Sequence, residues 1–116
     1  MLTVVGIKNC NTISKTLKWL EEQEINYTFR DVKKNPLSAE ELEDAISKVG
    51  LDTLVNRRGM KWRSLGLAGK ELTGEELAEI LFEHQTMIKR PLLLAGDAAM
   101  VGFDEDALGV FAEEYA

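Results

Sequence analysis

The hydrophobic period changes twice within the first thirty-two residues, and this restricts the fold more than any other feature of the chain. Leu2 to Ile7 reads Leu-Thr-Val-Val-Gly-Ile, a short β-branched stretch that suits a buried strand. From Asn11 the period lengthens. Ile13, Leu17 and Leu20 fall at i, i+4 and i+7, while Lys15, Lys18, Glu21 and Glu22 take the other side. That spacing predicts an amphipathic helix of about fourteen residues ending near Glu24. Tyr27-Thr-Phe-Arg-Asp-Val32 alternates and predicts a second strand. A strand, a helix and a strand in so short a stretch close as a right-handed unit with parallel strands.

The middle of the chain is helical. Asn35-Pro36-Leu37-Ser38 is a turn leading to an N-cap, and Glu41, three residues after Ser38, completes a capping box. Leu42, Ile46 and Val49 form the apolar stripe and Gly50 ends it. A short helical turn is expected over Leu51 to Val55, and a loop over Arg57 to Gly69. Thr73 and Glu76 make a second capping box before a stripe of Leu77, Ile80 and Leu81. Pro91–Ala95 and Ala98–Phe103 then flank Gly96-Asp97, a pair suited to a tight antiparallel hairpin. A final helix is expected from about Asp104, carrying Leu108, Phe111 and Tyr115 inward. The order is β-α-β, helical insertion, β-β-α. It predicts an α/β fold with a thioredoxin-like core: one domain over residues 1–116, with residues 36–87 as the approximate insertion.

Length fits one domain, since 116 residues is short for two. A single cysteine cannot form an internal disulfide, which points to the reducing cytoplasm. No apolar run reaches the ~20 residues of a membrane span, and the first residues read as a strand, not as a signal peptide. The net charge of -6 disfavours nucleic acid and anionic membrane as partners. After residue 70 there are eleven acidic residues and only two basic ones, Lys89 and Arg90. Before it lies a dense basic group of Arg57, Arg58, Lys61 and Arg63.

Cys10 lies three residues beyond the first strand and immediately before a helix. Free N–H groups and the positive dipole end favour an anion there, and helix N-termini are a recognised setting for reactive thiolates. Lys8 and Lys15 add positive potential, and polar Asn9, Asn11 and Thr12 surround the thiol and argue against its burial. One Cys and one His do not make a zinc cluster, so no metal site is expected. His84, near a helix end, reads as a capping or surface residue. Pro91 cannot donate to a sheet and therefore suits the first position of its strand. With Arg90 before it and the arginines of 57–63, an anion pocket can be assembled, because the guanidinium fork matches oxyanions.

Gly6-Ile-Lys-Asn-Cys10-Asn-Thr, Asn56-Arg-Arg-Gly-Met-Lys-Trp-Arg63, Ser64-Leu-Gly-Leu67, Ile88-Lys-Arg-Pro91 and Val101-Gly-Phe103 together resemble the ArsC/Spx family over nearly the whole chain. The likeness is greatest to the YffB-type branch, regarded as glutathione-dependent thiol reductases. It implies that Cys10 is the nucleophile, Arg90 an arginine of the anion site, and Pro91 a cis-proline facing the cysteine. It makes either Arg57 or Arg58 the second arginine. Lys8 and Asn11 complete the candidate anion-binding set.

Two departures shape the expected activity. Glutaredoxin-linked arsenate reductases carry a histidine four residues before the cysteine and a further arginine after the last strand pair. This chain has Gly6 at the first of those positions and Gly102-Phe103 at the second. Spx-type regulators usually carry Cys-x-x-Cys, but Ile13 occupies the second position here. The expectation is therefore a monomeric monothiol oxidoreductase with no bound cofactor. Its partners would be glutathione, or another thiol-bearing substrate, and glutaredoxin. Arsenate reduction is the alternative on the same thiol, and an Spx-like partner-binding regulator is the alternative of another class.

Overall fold

A computed structural model describes all 116 residues. The strands are β1 (Leu2–Gly6), β2 (Tyr27–Asp31), β3 (Leu92–Ala95) and β4 (Ala98–Val101). The helices are α1 (Asn11–Glu22), α2 (Ala39–Val49), α3 (Leu51–Leu54), α4 (Met60–Ser64), α5 (Gly74–Glu83) and α6 (Glu105–Tyr115), with a 3-10 turn over Gln85–Met87. The sheet order is β2-β1-β3-β4. β1 runs parallel to β2 and antiparallel to β3, and β3 pairs antiparallel with β4. This is the expected thioredoxin-like α/β arrangement. At the hairpin, Gly96 takes the left-handed conformation (φ 55°) that a two-residue turn needs.

Successive strand residues point to opposite faces, and here both faces are buried. Leu2, Val4, Leu93 and Ala95 face one side, where Ile13 and Leu20 of α1 and Leu108 and Phe111 of α6 cover them. Val5 and Leu92 face the other, where the inserted helices supply Leu42, Leu54, Trp62, Leu77 and Leu81. Two-sided burial explains why the third strand reads as an unbroken apolar run.

The local signals for α2 and α5 are realised in full. Ser38 accepts from the Glu41 N–H at 3.1 Å while Glu41 accepts from the Ser38 N–H at 2.9 Å. Thr73 and Glu76 repeat the pattern at 3.1 and 3.0 Å. Three expectations need correction. Residues 60–64 form α4 where a loop was expected, because Trp62 is buried in the core under the insertion. Tyr115 is exposed: the inward stripe of α6 is Leu108, Phe111 and Ala112, and Tyr115 lies one turn beyond, tilted against Phe111 at 5.2 Å. α1 ends at Glu22, two residues early, and Glu24 at φ 57° turns the chain toward β2.

Candidate active site

The strand directions bring four chain segments to one end of the sheet. The loop leaving β1 carries Ile7 to Cys10, and the segment leaving β2 carries Val32 to Lys34. Because β3 is antiparallel to β1, Arg90 and Pro91 enter it at this same end, and the chain leaves β4 there through Gly102. Backbone hydrogen bonds tie the group together: the Val32 N–H donates to the Gly6 carbonyl at 3.0 Å, and the Gly102 N–H to the Pro91 carbonyl at 2.9 Å.

Cys10 is the N-cap residue of α1, with extended backbone (φ -118°, ψ 124°) and its carbonyl accepting from the Ser14 N–H at 2.9 Å. Its side chain makes no capping hydrogen bond, which leaves Sγ uncommitted. The residue is half-buried and rests against the cluster of Leu2, Ile13 and Leu93. Asn9 before it adopts φ 60°, a left-handed conformation that asparagine tolerates better than most residues. The Arg90–Pro91 peptide is cis, and Pro91 is buried.

Gly6 packs against α1 with no room for a side chain. A Cβ there would lie 2.3 Å from Cδ1 and 2.8 Å from Cγ1 of Ile13. Residue 6 is four before the cysteine and residue 13 three after it, so the two flanks of the thiol touch each other.

Arg90 lines a cleft of about 470 Å³ together with Ile7, Lys33, Asn56, Lys61 and Thr86, among others. Neither Lys8 nor Asn11 lines it; both are exposed on the loop around the thiol. Arg57 and Arg58 also stand outside its lining. Arg57 pairs with Asp52 at 2.8 Å and lies 5.5 Å from the centre of the Trp62 ring. Arg58 is exposed; its N–H donates to Asn56 Oδ1 at 3.1 Å, and its carbonyl accepts from Arg63 Nη2 at 3.1 Å. No group of three His, Cys, Asp or Glu side chains is arranged to hold a metal ion, and His84 is the C-cap of α5. No helix is long and apolar enough to cross a membrane.

Sequence reasoning missed Lys33 and Asn56 and left Lys61 in an undirected basic group. A signal for Lys33 existed: it follows β2 by two residues, and a strand parallel to β1 must end where β1 ends. For Lys61 the signal is three-dimensional, since only the packing of α4 against the turn at Gln85–Met87 carries it to Arg90.

The model of the ArsC family matches residues 5–111. An uncharacterised Haemophilus influenzae protein is 40% identical over 106 residues, covering 90% of this chain and 93% of that one. The global transcriptional regulator Spx of Enterococcus faecalis is 28% identical over 113 residues, covering 96% of this chain and 86% of the regulator. A solved structure described as a YffB protein superposes with a TM-score of 0.87 at 32% identity, covering 95% of this chain and 97% of that one.

Proposed function

The chain belongs to the ArsC family, and from that premise we propose that it is a monothiol oxidoreductase, a glutathione-dependent thiol–disulfide reductase with Cys10 as nucleophile. One observation carries the reading. The single thiol stands half-exposed at the N-cap of α1, on the sheet end where Arg90 and Pro91 enter β3. The first turn of α1 leaves free backbone N–H groups beside it, donors that an anionic substrate group can use. Lys8 and Asn11 flank it, and Arg90 with one of Arg57 and Arg58 holds the substrate's negative group. Arg58 is the freer of the two, because Arg57 is engaged by Asp52 and Trp62.

In the reaction, the Cys10 thiolate attacks the glutathionyl sulfur of a mixed disulfide R–S–S–G. A new S–S bond forms between Cys10 and that sulfur, the S–S bond of the substrate breaks, and the leaving thiolate R–S⁻ takes a proton to become R–SH. A second glutathione, as its thiolate, then attacks the glutathionyl sulfur on Cys10. This releases oxidised glutathione and returns the Cys10 thiolate. The sulfur of R is reduced to a thiol, the one added glutathione is oxidised to the disulfide level, and the protein is unchanged. The resolving thiol must be external because the chain has one cysteine. The scheme needs no bound cofactor; glutaredoxin is a recycling partner, and the chain acts as a monomer in the reducing cytoplasm.

Arsenate reduction on the same thiol has less support, since position 6 carries no histidine and any side chain there would require Ile13 to shift. A docking role is favoured by the Spx relatives. The deciding experiment is incubation with oxidised glutathione, followed by intact-protein mass spectrometry. One glutathione is expected at Cys10, removable by reduced glutathione, and Arg90→Ala should slow its formation more than Lys48→Ala on the outer side of α2. Absence of the adduct, or formation no faster than on a cysteine peptide of equal thiolate content, would put the docking role first.

A further inference from the structure

We infer that the cleft beside Arg90 is a subsite for the carboxylates of the thiol substrate, with Lys33 and Lys61 as its specificity-determining cations. The inference rests on the thiol-reductase reading and extends it to a substrate class: thiols that carry two or more carboxylates.

The charge arrangement is the basis. Lys33 follows β2, Lys61 stands on α4 and Arg90 precedes β3, so three separate elements each bring one basic residue to the lining of one cleft. No Asp or Glu lines it, in a chain with 20 acidic and 14 basic residues. Arg30, Lys48 and Arg57 each find a carboxylate; Lys33, Lys61 and Arg90 are among the eleven basic residues that make no ion pair, and they are the ones that share a cleft. Like charges gathered around one space repel one another, and an anionic guest relieves that repulsion. Asn56 adds a neutral donor: its Oδ1 is occupied by the Arg58 N–H, which leaves its amide NH2 to donate. A space of about 470 Å³ lies within the range of small-ligand sites. Ile7 lines the cleft and Cys10 follows three residues later outside it. A peptide thiol that holds its carboxylates within the cleft would extend its sulfur along this loop to reach Cys10.

The test uses S-methylglutathione, a thioether that cannot form a disulfide and so reads binding alone. Calorimetric or NMR titration should give equal affinity for the wild type and Cys10→Ser. Removing both lysines (Lys33→Ala with Lys61→Ala) should weaken binding about tenfold or more, in line with two lost charge contacts at a partly exposed site. The double Lys→Arg variant should restore binding, Lys48→Ala should leave it unchanged, and the dimethyl ester of the ligand should bind poorly to the wild type. Equal binding by the double alanine variant, or by the ester, overturns the inference. The two readings fail separately. Lysine-dependent binding without a glutathione adduct at Cys10 keeps the subsite and removes the reductase. An adduct formed at an unaltered rate without either lysine keeps the reductase and removes the subsite.

Discussion

Adding one methyl group at Gly6 probes the tightest contact beside the thiol. The new Cβ would stand 2.3 Å from Ile13 Cδ1 and 2.8 Å from Cγ1. Carbon atoms settle at about 3.5–4.0 Å, so Ile13 must retreat by roughly 1 Å or more. It has little freedom to do so. Ile13 is 3% exposed, packed in the cluster with Val4 and Leu20, and its branched side chain has one favoured χ1 in a helix. Overpacking of this kind costs about 1–3 kcal/mol, against which alanine recovers about 0.5–1 kcal/mol of glycine's backbone entropy. Gly6→Ala should therefore destabilise by about 1–2 kcal/mol, although Gly6 is in a strand and needs no left-handed backbone.

The partner substitution isolates the cause. Ile13→Ala alone should cost about 2–5 kcal/mol as a cavity. In the double variant the clash is gone and the added methyl refills part of the space, so the double cost should fall about 1–2 kcal/mol below the sum. Urea unfolding followed by fluorescence of Trp19 and Trp62 measures all four proteins. Costs that simply add, or a Gly6→Ala protein as stable as the wild type, would refute the reasoning.

Two further outcomes are expected from contacts away from the thiol. Gln85 is 7% exposed, accepts the Leu37 N–H at 2.7 Å and donates to the Leu37 carbonyl at 2.8 Å. Gln85→Leu leaves both backbone groups without partners and should cost about 2–4 kcal/mol, with faster hydrogen exchange at the Leu37 amide; unchanged exchange would sink the assignment. Arg30, by donating to Glu41 at 2.9 Å, holds that carboxyl below the usual glutamate range, helped by the Ser38 N–H. A depressed folded value means the contribution is complete above the unfolded glutamate value of about 4.3 and is lost as pH falls through the folded one. Urea midpoints at neutral and acidic pH should therefore fall less steeply for Glu41→Gln than for the wild type, and parallel slopes would count against it.

Legibility followed the range of the interactions. The capping boxes at Ser38 and Thr73 and the turn at Gly96 rest on residues within four positions of each other, and each stands where the sequence puts it. The βαβ start was equally readable, because one period change fixes both strands and the crossover between them. α4 was not readable, since residues 57–69 carry glycines and no stripe, and Trp62 is buried by Leu67, Leu77 and other members of a cluster drawn from the whole insertion. Arg57 shows the same limit at the site. Its residue type suits an oxyanion, but Asp52, five residues back, and Trp62, five ahead, already engage it. Residue type suggests what a side chain can hold; only the fold shows what it already holds.

The two departures at positions 6 and 13 reduce to one packing decision. A histidine four residues before the cysteine, as the resemblance to arsenate reductases would require, needs a Cβ inside the space that Ile13 fills. A second cysteine at position 13, as Spx-type regulators carry, would remove Cδ1 and open that space. Ile13 therefore excludes an added cation on one side of the thiol and a resolving sulfur on the other, and it does so while buried in the core that seats α1 on the sheet. With those two positions closed, negative charge on a substrate can still meet Lys8 on the loop of the thiol and the cations around Arg90. The unpaired cations at Lys33, Lys61 and Arg90 lie across the sheet end, on elements that the βαβ start does not include apart from the residue following β2. In the proposed subsite the insertion supplies Lys61, while the ends of β2 and β3 supply Lys33 and Arg90.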